Sequence, residues 1–149
     1  MDGEVVDVEQ DDSVIDCAGT WVETSGLGPC IGVAVVFGNR VSMIHQSNPY
    51  VSDGLKEFCE ALDGLIPAAA RASVHPIVAG GQLGEFQVEI LRDRRYVLSK
   101  LNELGFGDPQ VKWCPDDATH GIVVNTSTRT AELEVDMDDG RRLTERLVF

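Results

Sequence analysis

Cys30 and His45 are the two residues of this 149-residue chain whose types and spacing suit nucleophilic catalysis. Between them run the apolar, β-branched segment Ile31-Gly-Val-Ala-Val-Val-Phe37, the turn signal Gly38-Asn39, and Arg40-Val-Ser-Met-Ile44. That pattern predicts a β-hairpin. With Gly38-Asn39 as its loop, Phe37 pairs with Arg40, Gly32 lies opposite His45, and Cys30 opposite Ser47. Cross-strand partners share a face, and so do residues two apart on one strand. Cys30 and His45 therefore project from the same face as diagonal neighbours, with Cβ atoms within roughly 7–8 Å. A slip of one residue would put them on opposite faces. Gly32, between them, has no side chain to block the approach. Gly26-Leu27-Gly28-Pro29, just ahead of Cys30, is a flexible-then-rigid loop able to bring backbone N–H groups near the sulfur. A thiol, an imidazole and a Gly-rich loop are the parts of a cysteine nucleophile with an oxyanion site. The plainer alternative is a buried packing thiol beside a structural histidine.

The other candidates carry less. His75, before Pro76, and His120, at the end of the polar loop from Asp116, have no cysteine partner implied by register. Cys59 falls on the apolar face of a predicted helix, and neither Cys17 nor Cys114 has a mechanistic partner. The four cysteines are widely spaced with no C-x-x-C, which reads as four reduced thiols. A zinc site would draw ligands from four distant segments, so neither metal nor cofactor is expected. Asp116-Asp117 reads as a solvated loop, and Gly80-Gly81 as a point of close backbone approach beside the site.

The positioning elements follow from periodicity. Ser52 can cap a helix whose apolar positions Leu55, Phe58, Cys59, Leu62, Leu65 and Ile66 form one face, closed by Pro67. Val74 to Ala79 is a short strand ending at Gly80-Gly81. Phe86, Val88 and Ile90 alternate with polar residues, which predicts a half-exposed strand, and Asp93 can cap a second helix through Val97, Leu98, Leu101 and Leu104. Strands around Val111–Trp113, Ile122–Val124 and Ala131–Val135 follow, and the turn Asp139-Gly140 leads into a last strand over 141–149. Seven or eight mostly antiparallel strands with two main helices on one side give an α/β protein of one domain, residues 17–149.

Residues 1–16 read as an acidic arm. Residues 1–39 hold eight acids and no Lys or Arg, within a net charge of −13. Such a surface repels phosphate backbones and anionic lipid, which argues against nucleic-acid and membrane partners. No apolar run approaches the ~18 residues of a membrane span. The N-terminus shows neither a basic n-region nor an apolar h-region, so a cytoplasmic chain is expected.

Thr24-Ser-Gly-Leu-Gly-Pro-Cys30, followed by an apolar strand, a turn and His45, resembles the CheD family of chemoreceptor glutamine deamidases, which carries T-x-G-L-G-S-C ahead of its catalytic histidine. The catalytic domains of cytotoxic necrotizing factor toxins look similar in fold and in their Cys–His pair. The order of elements matches over roughly residues 20–137. The resemblance implies an α/β/β sandwich and a cysteine-dependent amidohydrolase that converts glutamine side chains of a protein substrate, a chemoreceptor or another glutamine-bearing protein, to glutamate through a thioester. By position it makes Cys30 the nucleophile, His45 the base and Thr24 the residue that orients the imidazole, and a cationic His45 would lower the Cys30 thiol pKa. Pro29 stands where the family has Ser, Asp93-Arg94-Arg95 where it has an Arg-Asn pair, and Ile122 where Gly-Arg is usual. Two alternatives remain open: a catalytically silent CheD-like adaptor that binds a protein surface, and an amidase acting on N-terminal Asn or Gln.

Overall fold

The computed structural model describes residues 5–147. Ten strands form two five-stranded sheets. The outer sheet has the order β1 (Val5–Asp7), β3 (Trp21–Leu27), β8 (Ala118–Asn125), β9 (Thr130–Met137), β10 (Arg142–Leu147). The middle sheet has the order β2 (Asp12–Cys17), β5 (Arg40–Gln46), β4 (Ile31–Phe37), β6 (Ile77–Gly80), β7 (Gln110–Trp113). Helices α1 (Gly54–Leu65) and α2 (Gln87–Glu103) cover the face of the middle sheet turned away from the outer one. All pairings are antiparallel except β1 with β3 and β6 with β7. The second of these is the pair joined by the α2 crossover, the connection parallel strands require.

Alternation along β4 and β5 builds the layers. Ile31, Val33, Val35 and Ile44 pack against Leu55, Phe58, Cys59 and Leu62 of α1 and Val97 and Leu101 of α2. Ala34, Val41 and Met43, on the opposite face, meet Val22, Leu27, Ile122, Val124 and Leu133 between the sheets. The hairpin has the register that counting predicts, with Phe37 opposite Arg40 and Gly32 opposite His45. Gly38 alone in the turn has a positive φ (64°), which suits a glycine in the first loop position.

Four expectations need correction. The segment 1–16 is no separate arm from Val5 onward: Val5–Asp7 pairs with β3, Asp12–Cys17 pairs with β5, and Val8 is 1% exposed in the inter-sheet core. Residues 1–4 lie outside the described residues. The strand expected at Phe86–Ile90 is the first turn of α2, with Phe86 and Val88 exposed and Ile90 buried. Asp93 is therefore not a cap. It sits mid-helix on the buried side and accepts the Tyr50 N–H at 3.1 Å. Ser52 does not cap α1 either: the N-cap position is Asp53, which makes no side-chain cap, and the buried Ser52 Oγ has no partner.

Candidate functional site

Cys30 immediately precedes β4, and His45 is the penultimate residue of β5, so both lie at one end of the sandwich. Thr24 comes from β3 of the outer sheet and reaches His45 across the interlayer space. All three are buried: Thr24 is 1% exposed, His45 3% and Cys30 7%.

The Thr24 hydroxyl fixes the state of the imidazole. Its Oγ1 lies 2.6 Å from the Val8 carbonyl oxygen and 2.8 Å from His45 Nδ1. A carbonyl can only accept, so the single hydroxyl proton goes to Val8. Oγ1 must then accept from His45, which places the imidazole proton on Nδ1. The other nitrogen, Nε2, is left as a bare lone pair, and it is buried with no hydrogen-bond partner among the described residues. That is the tautomer a base needs.

The electrostatics describe a neutral resting pair. Burial pulls His45 below the ordinary imidazole value, with the carboxylates of Asp11 and Asp7 opposing in part. Burial pushes the Cys30 thiol up, the Asp11 carboxylate adds to that rise, and the thiol's own backbone N–H opposes it. The expected cationic His45 with a lowered thiol is therefore not the resting arrangement; two protonation states that burial disfavours have both been avoided. Since Nε2 has no partner, the thiol is not hydrogen-bonded to it at rest. The clear path over Gly32 is not open either. A Cβ there would meet Leu27 Cδ1 at 2.8 Å and Ile122 Cδ1 at 3.3 Å, so these side chains fill the space.

The loop carrying Cys30 is tied to the two residues that succeed β6. Gly81 N–H donates to the Cys30 carbonyl and Gln82 N–H to the Gly28 carbonyl, both at 2.9 Å. Gly80 has φ of 89°, and a Cβ on it would overlap the Cys30 carbonyl oxygen, so this position needs glycine twice over. The close approach expected of Gly80-Gly81 is present. Gly26, with φ of 70°, sits where the register of β3 against β8 shifts between Thr24 and Leu27, and Pro29 offers no N–H. The Cys30 N–H is turned toward its own sulfur, where it opposes the rise of the thiol.

Three contributors escaped sequence reasoning. Val8 acts through its carbonyl, which leaves no trace in residue type. Asp11 accepts Ser47 N–H (2.9 Å), Ser47 Oγ–H (2.6 Å) and Gln46 Nε2–H (3.0 Å) on one oxygen, and its own N–H holds the His45 carbonyl at 2.6 Å. In the sequence it is one acid in a run of them. His120 is buried at 3% exposure, opposite Leu27, and its Nδ1 accepts the Gly80 N–H at 3.2 Å, which supports the strand end beside Cys30. His75 is exposed and hydrogen-bonds the Asp108 carbonyl at 2.9 Å. All four cysteines are free. Cys59 packs in the helix layer, Cys114 donates to the Ala118 carbonyl at 3.2 Å, and the sulfur of Cys17 accepts the Gly19 N–H. Asp116 accepts the Gly84 N–H at 3.1 Å. Among the described residues no three His, Cys, Asp or Glu side chains converge as a metal site, and no helix is long and apolar enough to cross a membrane.

Comparison with protein-family models gives no match for this chain, and comparison with curated proteins gives none either.

Proposed function

We propose that the chain is a cysteine-dependent amidohydrolase, CheD-like in architecture, that deamidates glutamine side chains of a protein substrate. The observation that carries this reading is the imidazole of His45, locked with its proton on Nδ1 by Thr24 and with a bare, buried Nε2 on the face it shares with Cys30. Most buried polar atoms have a partner, and an unpaired ring nitrogen facing a thiol's side of the sheet calls for a functional explanation.

In the proposed reaction the Leu27 and Ile122 side chains over Gly32 shift as substrate enters, the carboxamide carbon approaches the sulfur, and Nε2 takes the thiol proton as the C–S bond forms. General-base activation at the moment of attack suits a site whose resting thiol burial holds neutral. The Cys30 N–H takes the oxyanion, with Pro29 unable to add a second donor. His45, now cationic, is stabilised by Asp11 and Asp7 and returns its proton to the departing ammonia. Water then adds to the thioester, Nε2 takes its proton, the C–S bond breaks, and glutamate leaves as Cys30 regains its hydrogen. The net change is one water consumed and one ammonia released.

The test is ammonia release from chemoreceptor cytoplasmic fragments, with glutamine-to-glutamate conversion located by mass spectrometry. Wild type should convert specific glutamines, while Cys30→Ser and His45→Gln should retain the fold and lose nearly all conversion. The adaptor reading draws its support from the raised Cys30 thiol and the donor missing at Pro29. It predicts binding of such fragments by wild type and Cys30→Ser alike, with no ammonia from either. Conversion confined to peptides with N-terminal Asn or Gln would favour the third reading.

A further inference from the structure

Gln82 lies immediately after the Gly80-Gly81 pair, and its three hydrogen bonds leave its side chain one orientation. Its backbone N–H holds the Gly28 carbonyl at 2.9 Å. Its Nε2 reaches two backbone carbonyls, Pro115 O at 2.8 Å and Ala118 O at 2.7 Å. Carbonyl oxygens only accept, so both contacts must be made by the NH2 group, and the amide cannot be flipped. Both amide protons are thereby spent, and Oε1 is turned the other way, toward the nucleophile loop. It sits 3.7 Å from where a Cβ of Gly28 would stand, two residues before Cys30. Among the described residues this oxygen has no donor. The site thus presents a fixed, neutral acceptor beside the loop that bears the thiol.

We infer that Gln82 Oε1 reads the amide nitrogen of the substrate, accepting a hydrogen bond from the carboxamide NH2 while the Cys30 N–H faces its oxygen. This rests on the amidohydrolase reading and adds a specificity determinant to it. A carboxamide has one face that accepts and one that donates, so a site that distinguishes it from the product must offer a donor on one side and an acceptor on the other. The product carboxylate carries no hydrogen for Oε1 and sets two oxygens against each other there, which aids its release. A substrate ester or carboxylate of the same shape forgoes the hydrogen bond that the carboxamide NH2 gives to this acceptor, and that difference is the source of selectivity. The absence of a side chain at Gly28 leaves the oxygen uncovered.

Alkylation of Cys30 tests this without knowledge of the protein substrate. Iodoacetamide carries the carboxamide, and methyl iodoacetate is a neutral analogue of similar size with no N–H. The ratio of their rates at Cys30, read by peptide mass, is compared with the same ratio for free cysteine. One net hydrogen bond should raise the wild-type ratio about three- to tenfold over free cysteine. Gln82→Met keeps the length and removes the acceptor, and its ratio should fall to that of free cysteine. Gln82→Glu loses the two bonds to Pro115 and Ala118 that aim the acceptor, so it should lose the excess as well. A loosened loop would change both rates together in either variant and leave the ratio alone. An equal ratio in wild type and free cysteine, or an excess kept in Gln82→Met, overturns the assignment and leaves the amidohydrolase reading standing. A Cys30 labelled no faster than Cys59 overturns both.

Discussion

Thr24→Val keeps the shape of the side chain and removes the hydroxyl on which the imidazole depends. Two buried groups lose their partner at once: the Val8 carbonyl, now 2.6 Å from nothing that donates, and the Nδ1–H of His45. A buried polar group left unpaired costs about 1–3 kcal/mol. The imidazole escapes part of that by moving its proton to Nε2, so the total should be about 3 kcal/mol. For a domain of this length that is a fall in Tm of about 6–12 °C. The chemical effect is separate from the stability change, because an Nε2 that carries a proton cannot take one from the thiol. Cys30 alkylation by iodoacetamide should slow about ten- to hundredfold, equivalent to about 1.4–2.7 kcal/mol. Long-range proton–nitrogen NMR at neutral pH reports the tautomer directly, and peptide mass gives the alkylation rate. Wild type should show Nδ1–H, Thr24→Val a shift toward Nε2–H, and Thr24→Ser a return to wild-type tautomer and rate. A wild-type His45 protonated on Nε2, or a Thr24→Val chain with unchanged tautomer and labelling, would refute the reasoning.

His45→Gln should slow iodoacetamide labelling of Cys30 at least tenfold while half-buried Cys17 keeps its rate as an internal reference; equal slowing of both would indicate general damage. Cys59 and Cys114, whose thiols burial pushes up to about 11, should stay unlabelled at pH 7 on the same timescale. Burial lowers His45 and His120 in the folded chain, so the unfolded chain binds their protons more readily. The stability tied to them is complete above the ordinary imidazole value of 6.5 and is lost as pH falls through the lowered values; Tm should drop from about pH 6.5 downward, and His45→Gln should make that drop shallower. Deleting residues 1–12 removes β1, the core residue Val8 and the Asp11 contacts, so Tm should fall by more than about 10 °C; an unchanged melt would mean that the pairing of β1 contributes nothing. Asp93→Asn keeps an acceptor for the Tyr50 N–H and removes a buried charge whose carboxyl burial raises, so Tm at neutral pH should rise, and a fall would show that the charge itself is used.

The β4–β5 hairpin was legible because period-two alternation and a two-residue turn determine which side chains share a face. The helix α1 was legible for the analogous reason at period 3.6, and only its cap went astray, since Ser52 lies one residue too early. The start of α2 was hidden by Phe86-x-Val88-x-Ile90, whose alternation mimics a strand although two of the three face solvent. Its buried stripe runs Ile90, Asp93, Val97, Leu101, and the carboxylate in the second position interrupts the apolar pattern that would have announced a helix. The N-terminal strands were masked by charge: Val6 and Val8 alternate with Asp7 and Glu9 in a segment whose composition resembles a solvated tail. Cys30, His45 and Thr24 could be named from type and spacing, and the structure brings Thr24 onto His45. The proton's location on Nδ1 could not, because it is decided by a backbone carbonyl of β1's flank. The filling of the Gly32 gap by Leu27 was invisible for the same reason, as it depends on a neighbouring sheet.

The bond from Thr24 to His45 spans two sheets, not two neighbours within one. Stacked sheets stand about 10 Å apart, and a hydrogen bond of 2.8 Å between side chains from opposite walls tolerates only a few tenths of an ångström of change in that spacing. The imidazole is therefore a gauge of the sandwich's thickness. Swelling of the interlayer, by heat, by a cavity cut anywhere between Val22 and Leu133, or by a ligand wedged at the rim, releases the proton from Nδ1 while every strand is still paired. Chemistry should fail before the fold does, and the gap between those two temperatures measures how stiffly the layers are held.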